Sequence, residues 1–136
     1  LRRHARLVRG EEVFEGTVLD NLLMGRAAVH PGDMDRALED VGLLQKIRSL
    51  PEGVSSRLKE NGAPLSRGQL ARLALARALV GNPRLLLLDG VLDQFADDEQ
   101  ERVFERLRRR DMTILMVTAR ESLASRCGQT LRLEDE

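Results

Sequence analysis

Apolar positions along this 136-residue chain change their period several times, and each change marks an element. Residues 1–8 alternate weakly and predict a strand. A short apolar run, 18–24, follows Gly16-Thr17 and reads as helix-like. Pro31-Gly32-Asp33 opens a helix with Asp33 as the expected N-cap; Met34, Ala37, Leu38 and Val41 form its apolar face and Gly42 ends it. A second short helix carries Leu43, Leu44 and Ile47 and stops before Pro51. Residues 52–64, with Gly53, Gly62 and Pro64, read as loop.

The clearest helix begins at Ser66. Ser66 and Gln69 have the spacing of a capping box, and Leu65 and Leu70 hold the staple positions around it. Leu70, Leu73, Ala74 and Ala78 share one face, and Gly81 and Pro83 close the helix. Residues 85–88 are all leucine, which predicts a strand buried on both faces, as in a parallel sheet. Asp97 or Asp98 is expected to cap a helix that buries Val103, Phe104 and Leu107. A second buried strand is expected at 113–117, a short helix at 121–126 and an alternating strand at 130–133. Strand–helix–strand order with continuous apolar strands predicts an α/β layered fold with a parallel sheet, carrying a small helical insertion at about 27–62.

Length and composition narrow the function. The chain is long enough for one domain with a real core. Lysine and arginine total 22 and aspartate and glutamate 22, so the basic excess of a nucleic-acid binder is missing. Arg108-Arg109-Arg110, the densest basic run, reads as a solvated helix end. The three aromatic residues, all Phe, weigh against a stacking platform for single-stranded nucleic acid. Cys127 is the single cysteine, so no internal disulfide forms. No apolar run approaches the roughly 20 residues of a membrane span; a membrane, if involved, lies beside this chain.

Two places could carry chemistry. Asp89 follows the apolar strand, where parallel sheets bind ligands, and could hold magnesium through water. Taken alone, it reads first as a helix or turn cap at a strand end. Ser66-Arg67-Gly68-Gln69 starts a helix, and the capping box accounts for Ser66 and Gln69. The same geometry offers free N–H groups to an anion, with Gly68 permitting close approach.

The wider pattern separates these readings. L-S-R-G-Q-L-A-R-L-A-L-A-R-A-L-V-G-N-P-R-L-L-L-L-D, from Leu65 to Asp89, resembles the signature helix and Walker B strand of ATP-binding-cassette (ABC) ATPases, whose pattern is L-S-G-G-Q, an Arg/Ala-rich helix, four hydrophobes and Asp-Glu. Three further segments are similar to exporter-type cassettes: V-F-E-G-T-V-L-D-N from Val13 to Asn21, L-P-E-G from Leu50 to Gly53, and M-T-I-L-M-V-T from Met112 to Thr118, the strand leading to the switch histidine. The resemblance covers nearly the whole chain. It implies part of an ABC nucleotide-binding domain: a P-loop NTPase (RecA-like) α/β core at 1–26 and 81–136, and an α-helical subdomain with the signature helix at about 27–80. It implies ATP and Mg2+ as cofactors, with Asp89 holding magnesium through water. Ser66, Arg67, Gly68 and Gln69 would meet the γ-phosphate of an ATP bound mainly by a second nucleotide-binding domain in a head-to-tail dimer. Membrane-spanning domains are the other implied partner, near 14–21, at the cytoplasmic face of a membrane. Nucleic acid is not an expected partner.

The chain also departs from the family pattern. The G-x-x-x-x-G-K-[ST] phosphate loop is absent from these residues, so a fragment that begins after it, binding nucleotide weakly alone, is expected. Such a fragment is expected to leave the Asp89 strand without a neighbour and to bare an apolar edge. Gly90 stands where the glutamate that polarises water is expected, and Ala119 where the switch histidine is expected, so no catalytic residue is intact. Arg9 falls at the Q-loop glutamine, and Ala96 at the D-loop aspartate unless Asp93 or Asp97 stands in. Arg67 replaces a signature glycine; its charge would favour phosphate and its bulk would crowd it. The losses at Gly90, Ala119 and Arg9 belong to the chain's own site, whereas Ser66, Gly68 and Gln69 belong to a partner's. Two functions follow: a transporter ATPase subunit with an impaired own site, or a non-hydrolysing pseudo-ATPase used for assembly. ABC-type proteins acting on DNA form a third class, disfavoured by neutral charge and the segment at 14–21.

Overall fold

The computed structural model describes residues 5–10, 12–24 and 29–129. At its centre is a three-stranded parallel sheet. Strand β1 (Ala5–Val8) and strand β5 (Thr113–Val117) flank β4 (Leu85–Asp89). Leu7, Leu87 and Leu115 lie in one register row and Val8, Leu88 and Met116 in the next. A second, two-stranded antiparallel sheet joins β2 (Gly16–Thr17) to β3 (Arg57–Leu58). The stretch 52–64, expected as loop, thus contains this strand and a 3-10 turn, Gly53–Ser55.

The strand ending in Asp89 is central, not an unpaired edge as expected from sequence. The sheet is open on a face instead. Leu86 and Leu88 are buried to 0% and 1% exposure, while Leu7, Leu115 and Val117 are 51%, 62% and 59% exposed. Strand β5, expected to be buried, alternates between exposed and half-buried residues, and Leu85 and Leu87 of β4 are half-buried. Apolar composition on both sides of a strand records only what could be buried; here one side is covered among the described residues.

Helix α4 (Arg67–Val80) supplies much of that cover. Leu70, Leu73 and Ala74 are buried as expected, and so are Ala71, Leu75, Ala76 and Leu79 on its other sides. The helix is enclosed because α1 (Val18–Leu23), α2 (Pro31–Asp40) and β1 all pack against it. It ends at Gly81, and the left-handed residue is Asn82, with φ 50°.

Other local expectations shift by a few residues. Helix α2 is capped by His30, whose ring nitrogen accepts the Gly32 N–H at 3.1 Å; Asp33 lies inside the first turn, where its charge suits the helix dipole. Pro31 takes the first helical position, which moves the cap one residue before it. Helix α3 spans Leu44–Ser49. Helix α5 (Asp97–Arg108) has Ala96 at its N-cap, without a side-chain cap bond, and Asp97 and Asp98 in its acidic first turn. Helix α6 covers Glu121–Ala124, shorter than expected. The strand expected at 130–133 lies outside the described residues.

The basic run at the end of α5 is only partly solvated. Arg110 is buried: its Nε donates to Asp40 Oδ2 at 2.7 Å, and its Nη1 reaches the Leu79 carbonyl and Asn82 Oδ1. One guanidinium thereby ties the end of α2 to the end of α4. Removing either partner would strand a buried charge.

Candidate functional site

Asp89 is the last residue of β4, at the carboxyl ends of the parallel strands. It is exposed, and among the described residues its carboxylate has no hydrogen-bond or ion-pair partner. The turn-cap alternative predicted a bonded side chain, and none is found among these residues. No group of three or more His, Cys, Asp or Glu able to hold a metal exists among the described residues. One carboxylate is therefore what the chain offers here. That suits magnesium, which keeps several waters and takes substrate phosphate oxygens as ligands.

Gly90 and Ala119 come together with Asp89. The Gly90 N–H donates to the Val117 carbonyl at 2.9 Å, and Thr118-Ala119 follows directly on β5. Gly90 has φ +71°, and a Cβ built there would meet nothing within 4 Å. Space for a side chain exists, but the left-handed backbone costs an L-residue about 1–2 kcal/mol. A glutamate here would therefore meet a backbone cost rather than crowding. Arg9 is exposed just beyond β1, at the same end of the sheet.

The turn at 66–69 is a separate surface. Ser66 Oγ accepts the Gln69 N–H at 3.2 Å, and Gln69 Oε1 accepts the Ser66 N–H at 2.8 Å, so the capping box forms in full. Ser66, Arg67 and Gly68 are exposed. Nothing lies within 4 Å of a Cβ built at Gly68, and its φ is not in the left-handed range. The chain's own packing therefore does not demand glycine there. Ser66, Gly68 and Gln69 make no hydrogen bond to Asp89, Gly90 or Ala119.

The segment 14–21 has a physical core that its resemblance alone did not explain. Asn21 is fully buried; its Oδ1 accepts the Phe14 N–H at 2.7 Å, and its Nδ2 donates to the carbonyls of Phe14 and Thr17, both at 2.9 Å. Thr17 and Asp20 close a second capping box, and the Thr17 N–H, then its hydroxyl, hold the Asp20 carboxyl below its ordinary range. Phe14 and Met24 remain exposed, with the Arg77 guanidinium 4.9 Å from the Phe14 ring centre. Burial holds Arg77 below its usual value, against the pull of Glu12. A cleft of about 500 Å³ opens between Arg6, Arg9, Met24 and Arg77.

Two sets of long-range contacts have no counterpart in the sequence reading. Arg72, on α4, donates to the Val41 carbonyl at 3.1 Å, pairs with Glu99 and lies 5.0 Å over the Phe95 ring. Asp93 and Arg120 bond the loop after β4 to the loop after β5. No local spacing pairs residue 72 with residues 41 and 99, or residue 93 with residues 118–120.

Comparison with known proteins identifies the family. The model of a family described as ABC transporter matches residues 2–92. The chain belongs to the ABC transporter family. It is a nucleotide-binding domain of that family, and its α/β fold is that of the P-loop NTPase type. Similar relatives include the ABC transporter BEA3 of Gibberella fujikuroi, 35% identical over 91% of this chain and 10% of the relative. The ATP-dependent lipid A-core flippase of Pseudomonas fluorescens is 41% identical over 75% of this chain and 17% of the relative. A bacterial Atm1-family ABC exporter solved with ATP bound superposes with a TM-score of 0.78 at 27% identity, over 90% of this chain and 22% of that one. The chain thus spans between about a tenth and a quarter of the length of these three proteins. No helix among its described residues is long and apolar enough to cross a membrane.

Proposed function

We propose that this chain is part of an ATP-binding subunit of an ABC exporter, with an impaired hydrolytic site of its own and a signature turn that completes a partner's site. In this reading residues 27–80 form the helical subdomain and the remainder the α/β core. Asp89 holds magnesium through water. Ser66, Arg67, Gly68 and Gln69 approach the γ-phosphate of an ATP held by a second cassette in a head-to-tail dimer. The exposed Phe14 and Met24, beside the cleft at Arg9 and Arg77, meet membrane-spanning domains on the cytoplasmic side.

The observation that carries this reading is the contrast between two sites. At the sheet end Asp89 is present and exposed, but its neighbours Gly90 and Ala119 bring no acid or base side chain. At the helix start the capped turn is intact, exposed and open at Gly68. ATP supplies the phosphates and magnesium neutralises their charge; the chain's own groups orient them, and water activation falls to the partner cassette.

The test is magnesium-ATP binding and turnover by the intact protein, alone and with its candidate partner. Turnover only with the partner, lost on Ser66→Ala with Gly68→Trp, is the expected result. Turnover restored to the chain's own site by Gly90→Glu with Ala119→His would place the defect where we assign it, after the backbone cost at Gly90 is met. Absence of nucleotide binding in both states would favour the pseudo-ATPase instead.

A further inference from the structure

We propose that Asp93 is a positioning residue that holds the loop carrying Ala119 against the loop that follows Asp89, and so sets the width of the chain's own nucleotide site. The inference rests on the site reading above and gives Asp93, named from the sequence only as a possible stand-in for the D-loop aspartate, a role toward the 118–120 loop of its own chain.

The argument starts from where the carboxylate goes. An aspartate four residues before a helix ordinarily serves the turn or the helix beside it. Asp93 instead sends both oxygens across to another loop. Oδ1 accepts from the Thr118 hydroxyl, 25 residues away, and Oδ2 accepts the Ala119 N–H at 2.9 Å. The same loop returns the contact: Arg120 Nη2 donates to the Asp93 carbonyl at 2.7 Å, and its Nη1 to Asp97 Oδ1 at 2.8 Å. Within that loop the Arg120 N–H donates to Thr118 Oγ1 at 3.0 Å, which orients the hydroxyl toward Asp93.

The Asp93 turn is itself anchored. Gln100, buried on α5, donates from Nε2 to the Leu92 carbonyl at 2.8 Å. Gly90 is held to Val117 at the strand ends. The loop at 118–120 is therefore gripped through a turn that cannot shift without breaking a buried hydrogen bond. The bonds accepted by Asp93 are charge-assisted, roughly twice as strong as neutral ones. Ala119 has no polar side chain, so its amide is the group through which the loop is held at that position. A nucleotide bound at Asp89 would lie beside that amide, and the 89-to-119 spacing would be fixed before it arrives. Such preorganisation matters because misplacement by about 1 Å can cost on the order of 100-fold in rate.

The test uses the intact protein with its partner cassette and reads amide hydrogen exchange first. Asp93→Ala is expected to speed exchange at Ala119 and Arg120 at least ten-fold while leaving Leu88 and Met116, in the strands, unchanged. Asp93→Asn keeps one acceptor and should fall between. No acceleration at Ala119, or equal acceleration in the strands, would overturn the proposal, the second result making Asp93 a general stabiliser only. A second readout uses the Gly90→Glu with Ala119→His background. There Asp93→Ala should lower kcat at least ten-fold with ATP affinity within two-fold, and an unchanged kcat would overturn the positioning role. If that background shows no turnover, the site reading fails, and exchange at Ala119 alone decides the role of Asp93.

Discussion

Leu86 and Leu115 are both apolar residues of parallel strands one register step apart, yet one is 0% and the other 62% exposed. They point to opposite faces of the same sheet. On the closed face Val8, Leu86 and Leu88 join a single core with α4, α5 and α1. On the open face the row Leu7–Leu87–Leu115 has an apolar surface and no covering element among the described residues. The comparison separates apolar composition from burial. Both faces have the side chains that could stabilise a core, and among the described residues only one has the partner that realises it. Parallel sheets normally have both faces covered, so the open row is a surface on which association is expected.

Substitutions on either side test that difference. The largest effect is expected in the helical layer that covers the closed face. Asp40→Ala leaves Arg110 as an uncompensated buried charge and should cost about 3–5 kcal/mol in urea unfolding. Leu86→Ala opens a cavity in the closed face and should cost about 2–5 kcal/mol in the same assay. Leu115→Lys, on the open face, should change stability by less than about 0.5 kcal/mol. It should also reduce self-association of the chain in sedimentation velocity. A cost equal to that of Leu86→Ala would mean that the open face is buried in solution.

The smallest effect is electrostatic and lies at the cap of α1. Asp20 is held below its ordinary carboxyl value by the Thr17 N–H and hydroxyl. A lowered folded value means that its contribution is fully present above about pH 4, and is lost as pH falls through the folded value. Asp20→Asn should therefore lower the unfolding midpoint slightly at pH 7, and the two proteins should converge as pH falls through the folded value of Asp20. Equal acid dependence in both proteins would remove Asp20 from the account.

Most elements were legible because their signals are local. The capping box at Ser66 and Gln69 needs four residues, and it forms as read. The four-leucine run is a strand, and Gly42 has φ +73° just past α2. Signals failed where two local rules competed. His30 caps α2 because Pro31 claims the first helical position, and Asp33, the better capping residue by type, is left inside. Within the site, Asp89, Gly90 and Ala119 were placed by motif, and the sheet brings them side by side. The bonds of Asp93 were not legible, because nothing in a turn of sequence Leu92-Asp93-Gln94 names a partner 25 residues away.

The sequence by itself determined the family, the order of helices and strands, and which positions lack an acid or base. Those properties follow from residue type and short spacing, which persist in any conformation of the chain. Tertiary structure decided which face of the sheet is closed, that Arg110 is buried against Asp40, that Gly90 adopts a left-handed backbone, and that Asp93 grips the Ala119 loop. Each of these depends on groups distant in sequence meeting at hydrogen-bond or packing distance, and that distance exists only once the chain has folded.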